Sequence, residues 1–345
     1  MRRRIIRTLL ILALVAVQVS LLHAQDEGFS FHEKPEEKKI DVLYNGKLLT
    51  AYCYFDSVMK PVLYPVKTVS GITVTRGYPL DPQPGERVDH PHHIGLWMNY
   101  ESVNGLDFWN NSTAIAYERR PRYGTIYHDK VVSKKASKEK ATLQAEALWK
   151  DYYGKLLLIE STSYAFAVEG DNFVIDRKTV LRAADSQVTF KDIKDGFFAI
   201  RVARELELPS DEPAIYVGDD GNIMNAKGPS TLNANGDYLS SEGIQGNDVW
   251  STRAKWVSLS GQKDDHQVSI TIIDHPDNPG YPAYWHARGY GLFAVNPLGQ
   301  EVFSKGKEKL NLVLEPDESV TFHYRVVIHE GKPLTPGQIE AMAKF

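Results

Sequence analysis

Residues 156–181 read LLLIESTSYAFAVEGDNFVIDRKTVL, and this stretch decides the fold class. Two runs rich in β-branched and aromatic residues flank the turn-forming sequence Glu169-Gly170-Asp171-Asn172. Two such runs joined by a short turn that contains glycine are typical of an antiparallel hairpin. The stretch therefore predicts two long neighbouring strands.

Alternation of apolar and polar residues with period two recurs outside this hairpin, over residues 141–149, 268–272 and 320–328. Only residues 335–344 have a helical pattern, with Pro336 near its start. The chain also lacks a glycine-rich phosphate loop and a regular alternation of strands and helices. We therefore predict an all-β fold, one large antiparallel β-sandwich with a short C-terminal helix, in which strand residues outnumber helix residues more than twofold.

Composition and charge exclude several classes of protein. The chain has 345 residues, of which 42% are hydrophobic and 24% charged, as in ordinary globular proteins. Its formal charge is −4, so no basic excess favours a nucleic-acid partner. The single cysteine, Cys53, excludes an intrachain disulfide and a cysteine-based zinc site, and we expect it to be buried.

The N-terminus has the pattern of a secretory signal peptide. Arg2, Arg3, Arg4 and Arg7 precede an apolar run over residues 9–22, and Leu22-His23-Ala24 is a plausible cleavage site. A single membrane anchor is the alternative, although the run is short for one. We predict a signal peptide over 1–24, a charged leader over 25–40 and a single β-sandwich domain over 41–345, in a periplasmic or extracellular protein without a further membrane span.

Two segments concentrate histidine and aspartate. They read Asp89-His90-Pro91-His92-His93 and Asp274-His275-Pro276, and the second is followed by Trp285-His286-Ala287-Arg288. A carboxylate beside imidazoles suits general acid–base chemistry or a metal shell, whereas isolated histidines at strand ends often only bind loop backbone. We predict that one pocket gathers six acid–base residues, namely His90, His92, His275, His286, Asp89 and Asp274. His92 and His93 are expected to face apart, and so not to face the same ligand, because neighbours on an extended chain point in opposite directions.

Arginine and tryptophan side chains near these segments are candidates for substrate binding. Arg201 and Glu205 fall on one face of a strand-like run over residues 197–205. Arg201 could bind an anion or hydroxyl groups of a substrate and Glu205 could act as a base; the alternative is that the two form an ion pair on the surface. The long polar stretch 210–246 is expected to be a functional loop. The other predicted substrate-binding residues are Arg76, Arg288, Trp97, Trp109 and Trp285.

The order of these motifs resembles a known family. Residues 89–97 (DHPHHIGLW) and 103–109 (VNGLDFW) are followed by 274–279 (DHPDNP), 285–288 (WHAR) and 291–297 (GLFAVNP). This series resembles the signature of the DUF6807 family, which is also labelled a PmoA-like "methane oxygenase" group, over roughly residues 60–328. The family commonly has Arg after the paired histidines, where this chain has Ile94.

The resemblance implies a supersandwich fold similar to galactose mutarotase, in exported proteins that handle sugars with His, Asp, Glu and Arg. The oxygenase label is not expected to hold, because a membrane methane monooxygenase subunit needs several spanning helices. We therefore expect a carbohydrate-active enzyme of epimerase, lyase or hydrolase type without a cofactor. The alternatives are a non-catalytic sugar-binding module and a hydrolase with a divalent metal at the same His/Asp cluster.

Overall fold

The computed structural model of the protein describes residues 27–225 and 234–345. It is 48% strand and 9% helical, which confirms the predicted all-β sandwich. Two eight-stranded antiparallel sheets, here sheet I and sheet II, account for most of the strands.

The strands are numbered along the chain. Sheet I contains, in spatial order, β1 (Phe29–Lys34), β2 (Lys39–Tyr44), β3 (Lys47–Cys53), β4 (Val62–Val66), β5 (Leu96–Tyr100), β11 (Gly196–Arg201), β18 (Leu292–Asn296) and β17 (Tyr284–Ala287). Sheet II contains β14 (Asp237–Ser240), β15 (Trp256–Lys263), β16 (His266–Asp274), β20 (Ser319–Glu330), β9 (Asn172–Ala183), β8 (Leu156–Glu169), β7 (Lys140–Asp151) and β6 (Gly124–Ala136).

Shorter elements complete the described chain. Two small ribbons pair β10 (Val188–Thr189) with β19 (Val313–Leu314) and β12 (Ile215–Val217) with β13 (Ile223–Asn225). The helices are α1 (Gln300–Phe303) and α2 (Pro336–Met342), and the 3₁₀ turns are Pro35–Glu37, Tyr117–Arg122, Arg204–Leu206 and Gly246–Val249.

The predicted hairpin and C-terminal helix are confirmed. In the hairpin β8–β9, Glu169 faces Asn172, and Gly170 takes a φ of 60°, which glycine tolerates without steric cost. Helix α2 begins at a capping box between Thr335 and Gln338. Its Ile339 packs in a small apolar cluster with Trp256 of sheet II, so the helix closes the side of the sandwich away from sheet I.

The two faces of sheet I have different environments. Leu96, Ile200, Phe293 and Ala287 form an in-register row across the sheet, and all four belong to the main core, together with Phe166 and Ile270 of sheet II. Paired residues of neighbouring strands point to the same side of a sheet, and successive residues point to opposite sides. The next row must therefore lie on the outer face, away from sheet II; it consists of Trp97, Ala199, Ala294 and His286.

The structure describes only part of the N-terminal region for which a signal peptide and a leader are predicted. The segment predicted as a leader, 25–40, includes strand β1, whose Phe29 is buried against the core. The predicted signal peptide, 1–24, lies outside the described residues. Within the described ranges, no helix has the length and apolar character needed to cross a bilayer.

Candidate functional site

The loop before β5 is held by a buried arginine. The guanidinium of Arg76, which is 1% exposed, donates from Nη1 to the Arg87 and Asp89 carbonyls, at 3.1 and 2.9 Å. Its Nη2 donates to the carbonyls of His90 and His93, at 3.0 and 3.1 Å. Arg76 therefore fixes the conformation of the Asp89–His93 loop, in place of the predicted contact with a substrate.

Asp89 lies between two buried arginines. Its Oδ1 accepts hydrogen bonds from Arg76 Nη1 at 2.5 Å and from Arg201 Nη2 at 2.7 Å. Burial alone would raise the pKa of this carboxyl, but the hydrogen bond with His90 and the charges of Arg201 and Arg76 lower the pKa well below its usual range. Asp89 is therefore a carboxylate across the physiological pH range.

His90 is the exposed member of the histidine cluster. Its Nδ1 lies 3.1 Å from Asp89 Oδ2, and 41% of its side chain is exposed. Its backbone has a φ of 42°, a left-handed conformation that is uncommon for a residue with a side chain and that often marks functional sites. Its ring stacks on Tyr290 with centroids 5.1 Å apart. We call Asp89 and His90 the dyad.

His92 and His93 are buried behind the dyad. Their rings lie 4.3 Å apart, so the prediction that they face apart is wrong. The reason is that the His93 amide bonds back to the His90 carbonyl, which makes a turn of the segment that was expected to be extended. Burial, reinforced by nearby positive charges, holds the pKa of both imidazoles well below its usual value, so both are neutral at pH 7. Neither Nε2 atom has a hydrogen-bond partner within the described structure.

Glu207, which sequence reasoning missed, completes the buried charges. Its Oε2 accepts from Arg87 Nε at 2.7 Å, and its Oε1 lies 3.8 Å from Arg201 Nη2. The prediction that Glu205 shares this face is wrong: the 3₁₀ turn Arg204–Leu206 ends the strand alternation, and Glu205 pairs with Lys263 on β15 instead. Arg201 is fully buried rather than part of a surface ion pair.

Lys60 is a second residue without a sequence signal. Its ammonium group donates to the His92 carbonyl at 2.7 Å and lies 5.2 Å from the centroid of the Trp97 ring. Burial lowers its pKa to about 7, against a smaller raising effect of Asp107. Because its partner is a backbone carbonyl, neither periodicity nor a motif pointed to it.

The predicted tryptophan faces are covered. Trp97, Trp109 and Trp285 are each at most 1% exposed, so the prediction that they stack on a substrate is wrong. Trp97 and Trp109 pack around His93 on the outer face of sheet I. Trp285 belongs to the core between the sheets. Trp250, in contrast, is 37% exposed.

A cleft of about 340 Å³ opens beside the dyad. Tyr290 connects the cleft to the dyad, since it lines the cleft and its ring stacks on His90. The Arg288 guanidinium lies between two rings of this region, 5.5 Å from Trp250 and 5.8 Å from Tyr290, and lines the cleft with them. The predicted functional loop contributes Ser210 and Glu212, while residues 226–233 lie outside the described residues. The remaining lining residues are Arg87, Pro209, Asn247, Ala287 and Gly289.

Asp274 and His275 lie elsewhere, so the predicted single pocket is wrong for them. Asp274 is buried, and its carboxylate accepts from Asn278 Nδ2 at 2.7 Å and from the Ala283 amide at 2.9 Å, just before β17. His275 stacks on His323, with centroids 4.7 Å apart, and contacts the ring of Phe345. The cleft residues Arg288 and Tyr290 follow β17, so the two Asp-His-Pro segments serve opposite ends of that strand.

His286 lies between these ends, on the outer face. Two strands, β11 and β18, lie between it and Trp97 in the same row, and its Nδ1 is 2.8 Å from the Lys194 carbonyl. Burial lowers its pKa to about 4, although Asp195 opposes this effect. His286 is thus a neutral, backbone-bound imidazole, and its ring contacts are with Phe303 rather than with the dyad. Within residues 27–225 and 234–345, no three His, Cys, Asp or Glu side chains are grouped so that they would hold a metal ion.

Comparison with solved structures finds remote similarity to sugar enzymes. The galactosidase domain of an alpha-galactosidase-sucrose kinase aligns with a TM-score of 0.39 and 13% identity, over 88% of this chain and 42% of that one. A galactose 1-epimerase from Lactobacillus acidophilus NCFM aligns with a TM-score of 0.35 and 9% identity, over 88% and 99% of the two chains. A putative aldose 1-epimerase from Escherichia coli K12 gives 0.32 and 12%, over 88% and 99%.

The chain thus spans less than half of the first of these structures. No curated protein matches the sequence. The motifs quoted above have a clear counterpart, however, since residues 39–344 match the family described as "Family of unknown function (DUF6807)". This match covers most of the chain and extends beyond both ends of the segment in which the resemblance was seen. The protein is therefore a member of the DUF6807 family.

Proposed function

We propose that the protein is a carbohydrate-active enzyme in which His90 transfers a proton and Asp89 orients it. The observation that carries this proposal is the dyad itself: an exposed imidazole bound through Nδ1 to a carboxylate that two buried arginines keep ionised. The dyad borders a cleft through Tyr290. His266 is also exposed and has its Nδ1 3.0 Å from Glu330 Oε1, but within the described residues Glu330 forms no ion pair with an arginine.

The chemistry follows from the charge of Asp89. A carboxylate is only an acceptor, so His90 must present an Nδ1–H to it, and the lone pair then resides on Nε2. Nε2 is therefore the atom that takes up a proton from a substrate C–H or O–H group. The negative charge of Asp89 stabilises the imidazolium that forms, until the proton is returned to another position of the substrate. Such a cycle fits epimerisation or elimination next to a hemiacetal or carbonyl.

The cleft has the features that a sugar needs. Trp250 and Tyr290 supply ring faces for pyranose C–H groups, while Arg288, Asn247 and Glu212 supply donors and acceptors for hydroxyl groups. Its volume of about 340 Å³ lies in the range of small-ligand pockets. The predicted export of the protein would place it where sugars from polysaccharide breakdown occur.

The experiment compares wild type with His90→Gln in a protein that starts at Gln25. Its probes are a panel of reducing monosaccharides and oligosaccharides, with proton exchange and product formation followed by NMR and binding by calorimetry. His90→Gln should lower turnover by about 10²–10⁴, the range for losing a general acid or base, with little change in binding. His266→Gln, which alters an exposed histidine paired with Glu330, is the matched control and should retain activity.

One alternative has a specific observation in its favour. The arrangement of Arg288 between Trp250 and Tyr290 is a complete binding surface without the dyad, as expected for a non-catalytic sugar-binding module. Sugar binding without turnover, and with equal affinity in wild type and His90→Gln, would support this alternative. Turnover that His90→Gln leaves unchanged would overturn the assignment of the dyad.

A further inference from the structure

A second group of exposed aromatic residues lies at one corner of sheet II. The 3₁₀ turn Tyr117–Arg122 leads into β6, whose first residue, Gly124, pairs with Asp151 at the end of β7. The turn that follows β7 starts with Tyr152 and Tyr153. The topology thus brings the turn that precedes β6 next to the turn that follows β7.

Large aromatic side chains at this corner are unusually open to solvent. Tyr117 is 71% and Tyr153 79% exposed, and Tyr127 and Tyr152 are exposed by about half and two fifths. The rings of Tyr117 and Tyr152 lie 6.4 Å apart, and those of Tyr152 and Tyr153 5.3 Å apart, each pair nearly perpendicular. A cluster of exposed rings of this kind is a mark of a binding surface.

The same corner carries positive charge. The turn has the sequence YERRPR, which contains three arginines, Arg119, Arg120 and Arg122, and one acidic residue, Glu118. None of the three arginines forms an ion pair within the described structure: Arg119 donates to the Tyr123 hydroxyl and Arg120 to the Ile115 carbonyl. The Arg120 guanidinium lies 5.7 Å from the centroid of the Tyr117 ring. Because the whole chain has a charge of −4, this patch does not reflect its overall composition.

A groove opens at this corner beside Arg120, Tyr127 and Tyr152. It has a volume of about 260 Å³ and is lined by Asn111, Ser112, Thr113, Arg120, Tyr127 and Tyr152, among others. Amide and hydroxyl groups therefore accompany the aromatic faces.

We infer that this tyrosine–arginine corner, made of Tyr117, Tyr127, Tyr152, Tyr153 and the arginines of the turn, is a non-catalytic binding surface for a polysaccharide that contains uronic acids. A uronate chain offers pyranose C–H faces to the rings, planar carboxylates to the guanidinium forks and hydroxyl groups to the groove. A nucleic acid also combines rings with negative charge, and the negative formal charge of the whole chain, −4, disfavours it as the ligand. The inference does not depend on the dyad or on catalysis.

The test is affinity electrophoresis in gels that contain one polymer each. The probes are polygalacturonate, its fully methyl-esterified form, a neutral galactan and a single-stranded DNA oligonucleotide. Polygalacturonate should retard the protein, less so at high salt, and the esterified and neutral polymers should retard it much less. Equal retardation by the esterified polymer would overturn the role of the arginines, and stronger binding of DNA would overturn the choice of ligand.

Two variants separate the rings from the charges. Tyr117→Ala with Tyr153→Ala should weaken binding on the order of tenfold, as expected for two lost ring contacts, whereas Tyr→Phe at both sites should retain it. Arg119→Gln, Arg120→Gln and Arg122→Gln together should abolish the salt-dependent part. The matched control replaces three exposed lysines that are far from this corner in sequence, Lys47→Gln, Lys305→Gln and Lys307→Gln. It should bind like wild type. Turnover of a small soluble sugar should be the same in all four variants, and undiminished binding by both the alanine and the glutamine variants would refute the site.

Discussion

The two Asp-His-Pro segments have the same sequence and opposite environments. At the first, Asp89 accepts hydrogen bonds from Arg76 and Arg201, and its histidine neighbour is exposed beside a cleft. At the second, the buried Asp274 accepts hydrogen bonds from the Asn278 side chain and the Ala283 amide, and His275 stacks on another histidine.

The Asp-His-Pro tripeptide therefore does not determine the protonation state of its aspartate. Burial raises the pKa of Asp274 to about 7, and its hydrogen bonds from Asn278 and Ala283 only partly oppose this effect. At Asp89 the same desolvation is outweighed by the imidazole and two guanidinium groups. Guanidinium groups from outside the tripeptide, those of Arg76 and Arg201, keep Asp89 ionised. Asp274 lacks such partners among its hydrogen bonds and instead ties a loop to the start of β17.

The largest effect on stability is expected when one of the buried arginines that bind Asp89 is replaced. Arg201→Met should lower the free energy of unfolding by about 3–5 kcal/mol, because it leaves the buried Glu207 and Asp89 with one arginine fewer. Arg182→Met, at an exposed ion pair with Asp317, should cost less than about 1 kcal/mol. Urea unfolding at pH 7 measures both, and a loss below 1 kcal/mol for Arg201→Met would show that Asp89 does not depend on this arginine.

The two aspartates should also differ in how stability depends on pH. The pKa of Asp274 is higher in the folded than in the unfolded chain, so its contribution is complete below pH 3.8 and is lost as pH rises through 7. At about 1.4 kcal/mol per pH unit, the loss is on the order of 4 kcal/mol. The pH dependence that Asp89 contributes has the opposite sign. Because its pKa is lowered in the folded protein, it stabilises the fold at pH values above the pKa of the unfolded chain, and this contribution is lost only in acid.

Unfolding free energies of Asp274→Asn between pH 4.5 and 8 test this difference. Relative to wild type, the variant should be destabilised at pH 4.5 and should recover as pH rises, because asparagine has no proton to lose. Asp277→Asn, in the same loop but with a side chain that is 92% exposed, should follow wild type throughout. A difference between Asp274→Asn and wild type that is constant with pH would contradict the raised pKa.

The smallest effect is expected at the second histidine. His275→Ala removes the stacking on His323 and Phe345 and should cost about 1 kcal/mol, with turnover unchanged. Thermal unfolding and the sugar assay of His90→Gln measure the two quantities on the same protein. If His275→Ala lowered turnover as much as His90→Gln, the division between the two segments would fail.

Much of the fold was predictable because it depends on local pattern. Alternation identified β7, β16 and β20, the turn at residues 169–172 identified the hairpin, and Pro336 marked the start of α2. The site was predictable only in part. Asp89, His90 and Arg288 are found at or beside the cleft, but the contact of Asp89 with Arg201 joins residues 112 apart in sequence, which no single-sequence pattern shows.

The errors have the same origin. Alternation extended past Arg201 predicts Glu205 on the Arg201 face, but the 3₁₀ turn Arg204–Leu206 shifts the phase. His92 and His93 were expected to diverge because a turn was taken for a strand. Trp97, Trp109 and Trp285 looked like ligand faces because sequence shows the residue type but not what covers it, whereas Glu207 and Lys60 are recognisable only from their buried partners.

The burial of the tryptophans gives the cleft an optical consequence. Of the six tryptophans in the chain, Trp250 is 37% exposed, and the other five are at most 1% exposed. A collisional quencher dissolved in water therefore reaches one indole, and that indole lines the cleft beside Arg288. The quenchable fraction of the intrinsic fluorescence thus comes from Trp250 in the cleft. A ligand bound in the cleft should lower this fraction, so its binding can be measured without a label.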